Sequence, residues 1–255
     1  MKVFATDLDN TMIYSYKRDI GKNTVLVETK DGKELSFMTK ESYQALNIIR
    51  KELNVIPVTT RSLEQYNRLI FSKENIVEYA LVSNGGVLLK NNKIDMEWYS
   101  ESLKIAELCK NEMEKGVELL KKDKNIYFEI RKIDGLFIFT KTKNILVTLE
   151  NLKNNLCLEL IDVHNHGEKI YIFPKALNKG EALKRLKKVL GIKELICSGD
   201  SEMDISMLKA ADISIFPEEL IEYFSVKDLK VFYKISKDKI FSDEVLAVVQ
   251  KYMFQ

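Results

Sequence analysis

Two aspartates one residue apart stand directly behind a short apolar run: Val3-Phe4-Ala5-Thr6-Asp7-Leu8-Asp9-Asn10-Thr11. A continuous apolar run suits a strand buried on both faces, as in a parallel sheet. Residues two apart on a strand point the same way. Asp7 and Asp9 are therefore expected to face one crevice at the carboxyl edge of the sheet, where open α/β folds bind ligands. Close like charges raise the proton affinity of at least one carboxylate unless a cation intervenes. That suits a pair in which one carboxylate attacks and its neighbour carries a proton. In isolation, a polar turn accepting local backbone hydrogen bonds accounts for the same residues. The rest of the chain has to decide.

Further apolar runs also stop at polar residues. Val55-Ile56-Pro57-Val58 ends at Thr59-Thr60-Arg61, and Tyr79-Ala80-Leu81-Val82 at Ser83-Asn84-Gly85-Gly86. Leu195-Ile196-Cys197-Ser198 ends at Gly199-Asp200, with Asp204 four residues on. Lys179 follows Asn178, the expected N-cap of a helix to Leu190, where the helix dipole disfavours a cation. A nearby anion would reverse that penalty. Carboxylates with a threonine and a lysine form an inventory for phosphate and for Mg²⁺, a hard cation that takes a few carboxylates and keeps several waters. Ser201 and Asp204 also read as a capping box, which leaves Gly199-Asp200 at a strand tip unexplained.

The elements that must position these residues alternate. Strand, helix, strand, helix, strand over residues 1–86 predicts a parallel sheet with right-handed crossovers, with a hairpin at Lys30-Asp31-Gly32-Lys33 beside the first strand. One helix from Ser62 to near Phe71 is expected. From Val87 to Phe173 the pattern becomes a hairpin, then α-β-β-α-β-β. It includes a long helix over Glu97–Lys122 interrupted at Gly116, and strands over Leu156–Val163 and Lys169–Phe173. The predicted fold class is α/β: a Rossmann-like parallel core over 1–86 and 174–255, with an inserted α+β domain over 87–173.

Composition narrows the classes. The 255 residues carry 40 basic and 38 acidic side chains, a formal charge of +2, which argues against a nucleic-acid protein driven by bulk electrostatics. Three scattered cysteines form no C-x-x-C pair and suggest neither a disulfide framework nor a zinc site. No apolar stretch approaches the roughly 20 residues of a membrane span, and no signal peptide is apparent. A cytoplasmic setting is the expectation. The sequence says nothing of oligomeric state.

In order, these residues resemble the haloacid dehalogenase superfamily of phosphotransferases. Asp7-Leu8-Asp9-Asn10-Thr11 matches its D-x-D-x-T motif, Thr59 with Arg61 its second, Lys179 its third, and Gly199-Asp200-Ser201-Glu202-Met203-Asp204 its G-D-x-x-x-D fourth. The insertion resembles the larger type II cap of Cof-type sugar-phosphate phosphatases and sucrose-phosphate phosphatase. Thr60 stands where a glycine is common, and Met203 where Cof-like members carry asparagine, so Cof-like substrates do not carry over.

The resemblance implies a Mg²⁺-dependent phosphatase of a small phosphorylated metabolite, a sugar phosphate being one candidate. Asp7 would be the nucleophile and Asp9 the acid and base. The metal would be held by Asp7, the Asp9 carbonyl and Asp200, supported by Asp204. Thr59 and Lys179 would hold phosphoryl oxygens, Asn84 and Gly85 would shape the edge, and Arg61 would touch an anionic substrate. A phosphomutase, or a non-catalytic relative that binds phosphorylated ligands or a partner, is the alternative. His164-Asn165-His166 reads as a solvated hairpin turn rather than a metal site, and Trp98 with Tyr99 as packing. Arg131 and Lys132 read mainly as solubilising hairpin cations.

Overall fold

The structure is a computed structural model that describes residues 1–74 and 77–253. It divides into two compact units, residues 1–94 with 179–255 and residues 95–178. The first begins with β1 (Lys2–Thr6), β2 (Tyr14–Ser15) and the hairpin of β3 (Thr24–Lys30) and β4 (Lys33–Thr39). That hairpin turns at Asp31-Gly32, both at positive φ, a backbone that Asp-Gly adopts cheaply. Helix α1 (Lys40–Glu52) is capped by Thr39, whose side chain accepts from the Ser42 N–H. Strand β5 (Asn54–Pro57) follows.

The helix expected from Ser62 to near Phe71 is cut to a single turn, α2 (Leu63–Tyr66), with a 3₁₀ turn at Ile70–Ser72. Ser62 and Gln65 form a capping box that starts it. Leu69 ends it: its backbone is extended and bridges to Glu28 of β3. Then come β6 (Tyr79–Val82), β7 (Val87–Lys90) and β8 (Lys93–Ile94). The domain boundary expected after Gly86 falls instead after Ile94, because β7 pairs antiparallel with β6 along its whole length.

The inserted unit comprises α3 (Met96–Leu108), α4 (Lys110–Lys122), β9 (Arg131–Ile133), β10 (Phe137–Lys141), α5 (Ile145–Asn155), β11 (Ile161–His166) and β12 (Lys169–Pro174). The long helix breaks at Cys109, where ψ is 7°, and not at Gly116, which is buried within α4. The antiparallel order is β11-β12-β10-β9. Ile138, Val163, Ile170 and Ile172 of the sheet pack with Met113, Leu120 and Leu152 of the helices. Alternate positions carry aromatics, with Phe137 and Phe173 ring centroids 4.7 Å apart. The strand expected over Leu156–Val163 runs over Ile161–His166, so both histidines lie on β11 and the turn falls at Gly167. Trp98 is buried and the Tyr99 hydroxyl donates to the Asp134 carbonyl at 3.0 Å, as packing requires.

The chain rejoins the first unit through α6 (Lys179–Leu190), β13 (Glu194–Ser198), α7 (Ile205–Ala210), β14 (Ile213–Pro217), β15 (Val231–Ile235) and α8 (Phe241–Met253). Five parallel strands in the order β15-β14-β13-β1-β5 form its central sheet. Val3, Phe4 and Ala5 of β1 are fully buried there. The third apolar run departs from expectation: β6 meets this sheet through one parallel bridge, Val58 to Leu81, and otherwise pairs with β7. The fold is α/β, a Rossmann-like parallel core with an inserted α+β unit.

Candidate active site

The carboxyl ends of β1 and β13 lie side by side, and the Asp7 N–H extends their pairing by donating to the Ser198 carbonyl at 2.9 Å. Asp7 is 5% exposed. Lys179, the first residue of α6, is 1% exposed. Its Nζ donates to Asp7 Oδ1 and to Asp204 Oδ1, each at 2.5 Å. Gly180 makes this placement possible. A Cβ there would lie 2.2 Å from the Ser206 carbonyl oxygen, so any other residue would push α6 away from α7.

Asp204 is held just as firmly. Its Oδ2 accepts from the Asp200 N–H at 3.1 Å, the Ser201 N–H at 3.0 Å and the Ser201 hydroxyl at 2.9 Å. The capping box read from the sequence is therefore present, while the other oxygen is committed to Lys179. Asp200 Oδ1 accepts from the Thr11 hydroxyl at 2.8 Å. Asp7, Asp200 and Asp204 each offer one oxygen, and these lie within 4.8 Å of one another.

The electrostatics follow from that crowding. Burial pushes the Asp7 carboxyl well above its usual range; Lys179 opposes this, and Asp204, Asp200 and Asp9 reinforce it. Burial and then Asp204 push Asp200 up to about 7, against the Thr11 hydroxyl and Lys179. Burial would drive the proton off Lys179, but Asp204 and Asp7 more than reverse this, so it stays an ammonium. Lys179 alone does not balance three carboxylates in so small a volume. A divalent cation with a taste for hard oxygen ligands fits this donor set.

The neighbouring loops are zipped by backbone. Thr59 N–H donates to the Leu81 carbonyl, Asn84 N–H to the Thr59 carbonyl and Ser83 N–H to the Arg61 carbonyl, at 2.8–2.9 Å. Thr59 and Asn84 are buried, and Ser83, Asn84 and Gly85 all take positive φ. The structure thus brings Thr59, Asn84 and Gly85 into one edge.

Asp9 stands apart from the three-carboxylate group. Its side chain is 49% exposed and receives both Nε and Nη2 of Arg61 at 2.8 Å. Arg61 Nη1 lies 3.0 Å from Glu28 Oε2, an ion pair with a carboxylate that is 2% exposed. Sequence reading missed Glu28. Its only local signal is an acidic residue in an otherwise β-favouring run, which any exposed strand face explains.

A parallel α/β core with carboxylates and a lysine gathered at its carboxyl edge, interrupted by an α+β insertion, defines the class. The profile of the haloacid dehalogenase-like hydrolases matches residues 4–216, and the chain belongs to that family. A curated relative, phosphoglycolate phosphatase of Methanococcoides burtonii, is 28% identical over 142 residues. The match takes in 53% of this chain and 60% of that protein, so the chain spans less than two thirds of that relative's length. Among solved structures, the sucrose-phosphatase of Synechocystis in complex with sucrose and phosphate superimposes with a TM-score of 0.67 at 13% identity, covering 99% of this chain and 97% of that one. A sugar phosphatase of haloacid dehalogenase subclass IIB gives 0.60 at 13% identity, covering 99% of both chains. At such identities the likeness is one of fold. No helix among the described residues is long and apolar enough to cross a membrane.

Proposed function

We propose that this chain is a Mg²⁺-dependent phosphomonoester hydrolase of a small phosphorylated metabolite, working through a covalent phosphoryl group on Asp7. The observation that carries the reading is the buried Lys179 ammonium between Asp7 and Asp204, with Asp200 beside them. Phosphoryl transfer needs positioning and positive charge more than any other contribution; the cluster supplies the positioning, and Lys179 together with a cation held by the carboxylates would supply the charge. Bound to Asp7, the Asp9 carbonyl and Asp200, Mg²⁺ would neutralise the nucleophile's surroundings and the phosphoryl oxygens. Asp204, with both oxygens already engaged, supports that shell by fixing Lys179 and the Gly199–Ser201 turn.

Asp7 attacks phosphorus, and the bond to the leaving oxygen breaks as Asp9 gives that oxygen a proton. Water then attacks the phosphoryl group while Asp9 takes its proton, and the bond to Asp7 breaks to release phosphate. Thr59 and Lys179 hold the transferring oxygens. Asn84 and Gly85 shape the edge beside them. Arg61, occupied by Asp9, orients the acid instead of gripping the substrate.

The test is release of phosphate from p-nitrophenyl phosphate with and without Mg²⁺. The protein as isolated should turn over only with the metal, and Asp7→Asn should lose about 10⁴-fold or more in kcat. Retained turnover in Asp7→Asn would remove the covalent route. Hexose phosphates assayed in parallel separate hydrolysis from isomerisation.

A further inference from the structure

We propose that Glu28 of β3 is a positioning residue for the reaction: through Arg61 it fixes the orientation of Asp9. This deepens the reading above and rests on Asp9 handling the proton. Glu28 lies where the β3–β4 register slips, between Leu26 and Thr29, the kind of irregularity that re-aims a side chain. A carboxylate buried this deeply must be fully satisfied. Its Oε2 accepts from the Ser36 hydroxyl at 2.7 Å, and its Oε1 from Arg68 Nε at 3.0 Å. Ser36 and Arg68 already satisfy it as a structural group.

Arg61 is an addition to that pairing. Its side chain is only 10% exposed, with Nη1 at 3.0 Å from Glu28 and the Nε/Nη2 edge on Asp9. Nη1 makes no hydrogen bond and meets Glu28 as an ion pair. Because a guanidinium is a rigid plane, the charge that draws this edge toward Glu28 also turns the opposite fork toward Asp9. The Asp9 side chain is half-exposed, and Arg61 grips both of its oxygens, so the direction of Arg61 sets the direction of Asp9. The hairpin therefore reaches the reacting groups through one arginine.

The test combines turnover with a readout that does not need it. Glu28→Gln should lower kcat about tenfold on an alkyl phosphate, with KM and inhibition by inorganic phosphate unchanged. Arg61→Gln should lose more, and the double variant no more than Arg61→Gln alone. Ser36→Ala, which keeps the charge and removes the hydroxyl on the same carboxylate oxygen, should lose about two- to fivefold in kcat only. Solvent exchange of the Arg61 Nε proton, followed by NMR, should speed up about tenfold in Glu28→Gln and less in Ser36→Ala.

Losses that multiply in the double variant overturn the proposal, as does a KM that rises as kcat falls. Unchanged Nε exchange in a folded variant does the same. If Glu28→Gln fails to fold, Ser36→Ala decides by the same criteria. Absence of turnover in the unaltered protein would overturn the phosphatase reading, and Nε exchange would then decide alone whether Glu28 holds the clamp on Asp9.

Discussion

In the first unit charged side chains are carried inside: Asp7, Lys179, Asp204 and Glu28 are all at most 5% exposed. In the inserted unit the ion pairs Lys110 with Glu107, Lys121 with Glu118 and Arg131 with Glu129 lie at the surface. The interior there is Met113, Leu120, Leu152, Ile170 and Ile172. Exposed pairs add little to stability, so the inserted unit is held by apolar burial. Buried charges are costly unless each is paired, and removing one partner leaves the other stranded. The first unit therefore accepts a local cost at the edge of its sheet and offsets it with the apolar strands behind.

Lys179→Met should break this contrast most severely. Without added metal it strands Asp7 and Asp204, and unfolding in urea at pH 8 should show a loss of about 3–5 kcal/mol. Turnover should fall about 10²- to 10³-fold in the same protein. Leu152→Ala probes the other side. Leu152 is fully buried in the inserted unit's core, and the expected cost is about 2–5 kcal/mol, read by urea unfolding, with inhibition by inorganic phosphate unchanged.

A third measurement sharpens the contrast through pH. The folded Asp200 carboxyl sits at about 7, above its unfolded value of about 3.9, and Asp7 is shifted the same way. The native state thus holds protons that the unfolded chain has released. The stability these groups contribute is present at low pH and lost as pH rises through about 7. The urea midpoint of metal-free protein should fall between pH 5 and 8, and added Mg²⁺ should flatten that slope; a rising midpoint would contradict the crowding described above. Smallest of all, Lys121→Ala should leave the urea midpoint within error, since both partners of that pair are more than half exposed.

The same division explains what could be read from the chain in advance. Short-range signals were legible: the apolar β1 run ending in Asp7, the Ser201/Asp204 box, and the turn at Asp31-Gly32. Features set by distant partners were not. Nothing near Ser62 announces that α2 stops after one turn, because the cause is Leu69 bridging to Glu28. Nothing beside Arg61 in the sequence shows that it also pairs with Asp9 and Glu28, both more than 30 residues away along the chain. An isolated apolar run does not say whether its partner is parallel or antiparallel, which is why β6 was expected wholly within the main sheet.

Lys179 is the first residue of the segment by which the chain returns from its insertion. Its ammonium is thus coupled by sequence to the last linker of an exchangeable module. An α-helix advances about 100° per residue, so a graft that shifted the start of α6 by a single position would swing this side chain out of reach of both carboxylates. Any transplant of a foreign insertion into this scaffold must preserve the Asn178–Lys179–Gly180 junction, however freely the module in between is redrawn.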